Sequence, residues 1–189
     1  MGRRTPTQEA RGNVSERERL ATVLDPAFVR DLDGLSLADV RARRDQALAQ
    51  REYLSYLRRL LQVRLDLMTA ERERRATGGE TAPLVERLAA VLAEHPRAAS
   101  SRGEAVRTAL PAEDVAEADE RATAVLGPIG LTDPEELDTG QLSGAIDALE
   151  REEHEVSSER ASVLTVHDRL QEELKRRFRE DPGIVTREA

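Results

Sequence analysis

The chain has no cysteine and no tryptophan, and only two tyrosines and two phenylalanines. Without cysteine it can carry no disulfide framework, no thiolate zinc site and no thiol nucleophile. Folded chains of 189 residues normally bury several large rings, so 2% aromatic content speaks against a thick core. No apolar run approaches the ~20 residues of a membrane span. The opening Met-Gly-Arg-Arg-Thr-Pro is charged but lacks the apolar stretch of a signal peptide. Pro6 stands where a myristoylation signal needs Ser or Thr. Alternating β-branched runs are almost missing, which argues against sheet. Basic surface is scarce as well: the net charge is −8 and Lys175 is the only lysine. A general nucleic-acid binder carries a basic face, so direct DNA or RNA binding is disfavoured. A cytoplasmic protein with no membrane segment is expected.

What remains is rich in Ala, Leu, Glu and Arg, with 35% charged residues. That composition indicates long helices and coiled coil. Residues 1–24 are polar with little periodicity and read as a disordered tail. Residues 25–183 read as a single helical domain, and 184–189 as a frayed end. Asp25-Pro26 can cap a short turn that Gly34 breaks. Ser36 is the expected N-cap of a long helix, with Asp39 in the capping-box position. No Gly or Pro follows before Gly78-Gly79, so the helix spans about 37–77, roughly 60 Å at 1.5 Å per residue. A connector over 78–136 holds short helices at 84–94 and 112–126, a loop at 95–103, and a turn started by Asp133-Pro134. Asp138 and Gln141 form a second cap, and a second long helix runs over about 139–180.

The two long helices align with a shift of 102 residues. Leu35 matches Leu137, Ser36 matches Asp138, and Glu71, Arg74 and Arg75 match Glu173, Arg176 and Arg177. Val40, Ala47, Leu54, Leu61 and Met68 recur every seven residues, as do Leu142, Leu149, Val156, Val163 and Leu170. A strict seven-residue repeat marks a left-handed coiled coil, with these residues as its d row. The a row is Leu37, Arg44, Arg51, Arg58, Leu65 and Arg72, and then Thr139, Ile146, Glu153, Arg160, His167 and Leu174. Its middle is charged in both strands, and buried charge costs several kcal/mol per ion unless paired. Two accounts compete. Either the a side is solvated, with Arg stems reaching water, or these positions face a ligand.

The second account has a pattern behind it. Ser55, Arg58, Gln62 and Asp66 fall on one helical stripe, and Glu153, Ser157, Arg160 and Asp168 on another. Arg can give a two-pronged hydrogen bond to guanine O6 and N7. Asp can accept from guanine N1–H and its exocyclic amine, while Ser and Arg suit a phosphate. Catalysis is weaker, because neither Ser55 nor Ser157 has a suitably spaced His. His95, His154 and His167 fit surface or seam positions, and the many Glu residues of the second helix form a solvated face rather than a metal site.

The run Ser55-Tyr-Leu-Arg58-Arg-Leu-Leu-Gln62-Val-Arg-Leu-Asp66 resembles the signature of the RsiG family of actinobacterial anti-sigma factors. That signature is Glu, three residues, Ser, two, Arg, three, Gln, three, Asp, on both strands of an antiparallel helical hairpin. The resemblance extends over roughly residues 35–180. Arg51 departs from it where the family has Glu, and Leu164 where the family has Gln; each removes one hydrogen-bonding group from the implied site.

The resemblance implies an all-α fold, an antiparallel two-helix coiled-coil hairpin with short helices in the connection. It implies a non-catalytic anti-sigma factor that binds cyclic di-GMP through Ser55, Arg58, Gln62, Asp66, Glu153, Ser157, Arg160 and Asp168. The loaded hairpin would hold a WhiG-type sporulation sigma factor away from RNA polymerase. Cyclic di-GMP is the regulatory ligand, no cofactor or metal is expected, and the chain is monomeric before it meets its partner. Leu57, Leu60 and Leu67 lie outside a and d; they suit either partner contact or packing by the short helices. The alternative function is a structural or adaptor coiled coil without a small ligand, its charged stripe fixing register.

Overall fold

A computed structural model of the chain describes residues 15–78, 110–129, 132–181 and Gly183. Among the described residues there is no strand. The helices among them are α1 (Glu16–Leu24), α2 (Leu37–Thr77), α3 (Ala112–Ala124) and α4 (Thr139–Glu180). Among the described residues 3-10 turns at Pro26–Val29 and Leu32–Gly34 lie between α1 and α2, and turns at Gly127–Ile129 and Pro134–Glu136 lie between α3 and α4. None of these helices is long and apolar enough to cross a membrane. The expected tail over residues 1–14, the short helix at 84–94, the loop at 95–103 and the frayed end lie outside the described residues.

The ends of the long helices follow local chemistry. Asp138 and Gln141 form a reciprocal capping box, Gln141 N–H to Asp138 Oδ1 at 2.8 Å and Asp138 N–H to Gln141 Oε1 at 2.9 Å. At α2, Ser36 Oγ accepts from Asp39 N–H at 3.0 Å, but the Asp39 carboxylate takes the Ser36 hydroxyl at 2.7 Å rather than the backbone N–H. Asp is one methylene shorter than the Glu of a capping box, and its carboxylate takes the nearer hydroxyl. α2 stops at Gly78, whose φ of +63° suits a residue without Cβ. Residues 16–24 differ from the sequence expectation, since they form helix rather than tail. The cause is the Ser15 capping box, in which Ser15 N–H reaches Glu18 Oε2 at 3.0 Å, together with burial of Leu20 and Val23.

The chain divides into two compact units, Met1–Gln50 with Ser162–Ala189, and Arg51–Ala161. Both are assembled from the same parts: a short helix, two 3-10 turns, the start of one long helix and the end of the other. In each, segments of the two long helices pack together. The first unit buries the d-row residues Val40, Ala47, Val163 and Leu170 with Phe28, Val29 and Leu32. The second buries Leu54, Leu61, Met68, Leu142, Leu149 and Val156 with Tyr53 and Leu57. Leu57 is 0% exposed, so it is core and offers nothing to a partner; Leu60 and Leu67 are half-buried. The reason lies on the face that Tyr53, Leu57 and Arg64 share at steps of four and seven residues. On that face Arg64 donates to Asp119 Oδ1 at 3.0 Å and Thr123 Oγ1 at 2.9 Å, so α3 packs there.

One ion cluster occurs in both units. In the second unit the buried Glu71 carboxylate accepts from Arg74 (2.8 and 2.7 Å) and from Arg75 Nε (2.6 Å). Arg75 then donates to the carbonyls of Leu137, Pro134 and Glu135, the turn that leads into α4. In the first unit Glu173 accepts from Arg176 and Arg177, and Arg177 donates to the carbonyls of Leu35 and Leu32, the turn that leads into α2. The 102-residue shift therefore extends beyond the long helices: the turns Leu32–Gly34 and Pro134–Glu136 correspond to the residue.

Candidate functional site

Two helices packed side by side leave a surface cleft along their line of contact, and within the second unit the polar stripe lies along that line, between facing segments of α2 and α4. These segments run in opposite directions, because Arg75 meets Leu137, Arg58 meets Glu153 and Arg160 meets Ser55. Leu54, Leu61, Leu149 and Val156 are buried on the neighbouring d row, and Ser55, Arg58, Gln62, Glu153, Ser157 and Arg160 are half-buried.

Glu153 is the centre of one half. Its Oε1 accepts from Arg58 Nε at 2.7 Å, Ser157 Oγ at 3.1 Å and Gln62 Nε2 at 3.3 Å. Burial pushes the Glu153 carboxyl up, but the bonds from Arg58, Ser157 and Gln62 together hold it below the usual carboxylate range. The charge on Glu153 is thus kept at neutral pH and balanced by Arg58.

Arg160 organises the other half. Its Nε donates to Ser55 Oγ at 2.9 Å, and the Ser55 hydroxyl donates to the Arg51 carbonyl at 2.7 Å. Arg51 itself pairs with Glu52 on its own helix at 3.0 Å, and its side chain is 16% exposed. Asp66 is half-buried on the same stripe. The structure thus brings Arg58, Gln62, Glu153 and Ser157 into one hydrogen-bonded group, and Ser55 and Arg160 into a second. Asp168 is in neither group: it belongs to the first unit, is exposed, and lies 3.2 Å from His167 Nδ1. Leu164, in the Gln position of the second copy, is half-buried.

The first account of the charged a row is met in part: these side chains are partly solvated, yet Arg58 and Arg160 bond across the seam to Glu153 and Ser55, while Arg44 and Arg51 pair along their own helix. Such an arrangement can change partners. A guanidinium held by one carboxylate and a hydroxyl held by one guanidinium can be handed to a ligand that offers an acceptor of equal or greater charge. Among the described residues the Ser55 hydroxyl donates to the Arg51 carbonyl, and the Ser157 hydroxyl to the Glu153 carboxylate whose charge Arg58 balances. Among the described residues no group of three or more His, Asp or Glu could hold a metal ion.

Sequence reasoning missed Arg121 and Arg64, which tie α3 to the cleft-bearing segments. Arg121 donates to Glu152 at 2.9 Å and to Glu159 at 3.4 Å, on the flank of α4 adjoining Glu153 and Arg160. A signal was present: Glu152 corresponds to Gln50 by the 102-residue shift, and Gln50 in turn holds α1 through Glu16 at 2.9 Å.

No curated protein matches the chain at a significant level. Residues 26–92 match the family model described as RsiG-like, a narrower span than the 35–180 expected. The matched segment contains Ser55, Arg58, Gln62 and Asp66, while Glu153, Ser157, Arg160 and Asp168 lie beyond it. Over residues 26–92 the chain therefore resembles the RsiG-like family, and that resemblance points to a function of the anti-sigma factor type.

Proposed function

We propose that the protein is a non-catalytic anti-sigma factor whose two long helices form an antiparallel coiled-coil hairpin, and that the cleft binds cyclic di-GMP. The loaded hairpin captures a WhiG-type sigma factor and keeps it from RNA polymerase, in the cytoplasm of a sporulating actinobacterium. The observation that carries this reading is the Arg58–Glu153–Ser157–Gln62 group facing the Arg160–Ser55 pair. Two arginines, two hydroxyls, an amide and carboxylates are what a guanine edge and a phosphodiester require. On binding, Arg58 exchanges Glu153 for a ligand acceptor, and the freed carboxylate accepts from guanine N–H groups. The nucleotide then bridges α2 and α4 and fixes the surface that the sigma factor meets.

The completeness of the Arg58–Glu153 network without a ligand supports a second reading, an adaptor coiled coil in which the pair fixes register. Capture of the purified sigma factor with and without cyclic di-GMP separates the two. Ligand-dependent capture, lost in the joint Arg58→Ala and Arg160→Ala variant, is expected. Capture indifferent to the nucleotide would leave only the adaptor.

A further inference from the structure

The two halves of the cleft are related by the internal shift, but their charges are not. Moving Arg58 and Glu153 by 102 residues gives Arg160 and Arg51. The first pair is a bonded cation and anion at 2.7 Å. The second is two cations. Arg160, lacking a carboxylate at the place where Arg58 finds one, commits only its Nε–H among the described residues, and to a neutral hydroxyl. That hydroxyl has its own proton engaged with the Arg51 carbonyl, so its oxygen is left to serve Arg160. Arg51 is half-buried, and its guanidinium is drawn along its own helix to Glu52, whose side chain is 40% exposed. In one half the arginine is balanced by a carboxylate across the seam, while in the other Arg51 is balanced along its helix by Glu52 and Arg160 rests its positive charge on a neutral hydroxyl in a partly dehydrated place. Coulomb energy there is larger than in bulk water, so an anion gains most on that side.

Resting on the proposed nucleotide binding, we infer that the cleft is polarised. Arg51, Arg160 and Ser55 hold the phosphodiester of the ligand, and the Arg58–Glu153 half takes the uncharged base. Arg51 is then a binding residue in its own right, and the replacement of the signature Glu at this position changes what that half of the cleft accepts. The ligand phosphate displaces Ser55 as the acceptor for Arg160 and offers Arg51 an alternative to Glu52. No covalent step is involved.

The test uses the full chain and its Arg51→Glu and Arg51→Gln variants, titrated calorimetrically with cyclic di-GMP at low and high salt, and with inorganic pyrophosphate in parallel. Arg51→Glu restores the signature residue and gives Arg160 a carboxylate, so the variant is expected to fold with an unchanged or higher melting temperature. A polarised cleft predicts that Arg51→Glu weakens cyclic di-GMP binding by about tenfold or more, with Arg51→Gln in between, and that the salt dependence flattens. Equal or tighter binding by Arg51→Glu, with salt dependence unchanged, overturns the inference while leaving nucleotide binding in place. If the unaltered chain takes no cyclic di-GMP, the proposed function fails, and pyrophosphate decides this inference alone. Pyrophosphate binding that Arg51→Glu abolishes supports a cationic half; no pyrophosphate binding, or binding indifferent to the substitution, refutes it.

Discussion

The two units use one plan and hold it together differently. In the first, α1 and its turns are held mainly by apolar burial. Leu20, Val23, Phe28 and Val29 are buried, Arg43 lies over the Phe28 ring at 5.5 Å, and Arg41 lies over the Phe178 ring at 5.6 Å. In the second, α3 buries only Ala118 and Ala122, and its ties are ionic, from Arg121 to Glu152 and Glu159 and from Arg64 to Asp119. The clamps differ too. Glu71 is wholly buried, and Arg75 spans three carbonyls. Glu173 is 11% exposed, and its partner Arg176 also serves Asp33 and Glu180. The positions that set helix starts and register recur at the 102-residue shift, while their burial and partners differ, and the residues next to the cleft differ most. A duplicated scaffold with an unequal centre is what a split ligand site needs if its two halves do different work.

Substitutions can break this contrast. The largest effect is expected from Phe28→Ala, which removes a buried ring from the first unit and should cost about 3 kcal/mol in urea unfolding. Glu71→Ala should follow at roughly 2–3 kcal/mol, since it strands Arg74 and Arg75 beside a buried position. Glu173→Ala should cost less, about 1–2 kcal/mol, because Arg176 keeps Asp33 and Glu180. Equal losses for the two glutamates would erase the difference drawn between the clamps.

Acid should sharpen it. The hydrogen bond from Arg74, then that from Arg75, holds Glu71 down at about 2 from an ordinary 4.5, against the opposing effect of burial. A folded-state value below the unfolded one means that the stabilisation is complete above pH 4.5. It drains away as pH falls toward 2. A melting-temperature series over that window should slope downward with acid, and Glu71→Gln should flatten it. The smallest effect is expected from Arg121→Ala, about 1 kcal/mol or less and fading with added salt. Amide exchange in α3 should quicken in salt while that in α1 does not; parallel behaviour would mean that α3 is held by packing instead.

Much of this was legible in the sequence, for a physical reason. A seven-residue apolar period survives because each d residue must meet the seam, and Val40 through Leu170 are all buried as it requires. Caps are equally local, so Asp138 and Gln141 could be read directly. α1 was harder to see, because its short apolar content hides among charges and its signal is the Ser15–Glu18 pair alone. For Leu57 a two-helix register leaves partner contact and packing by a short helix both open, and only the third helix on the Tyr53–Leu57–Arg64 face decides for packing. Pairing of Arg58 with Glu153 depends on antiparallel register, which neither strand states by itself. Asp168 shared the spacing of Asp66 but not its surroundings.

The central claim is that the arginines of the cleft exchange protein partners for a nucleotide while those of the clamps do not. Arginine side-chain Nε–H resonances, followed by NMR as cyclic di-GMP is added to the full chain, test it most directly. The account predicts shifts at Arg58 and Arg160 that saturate together, with Arg75 and Arg177 unmoved. Silence at Arg58 and Arg160 under saturating nucleotide, or shifts confined to the clamps, would contradict it.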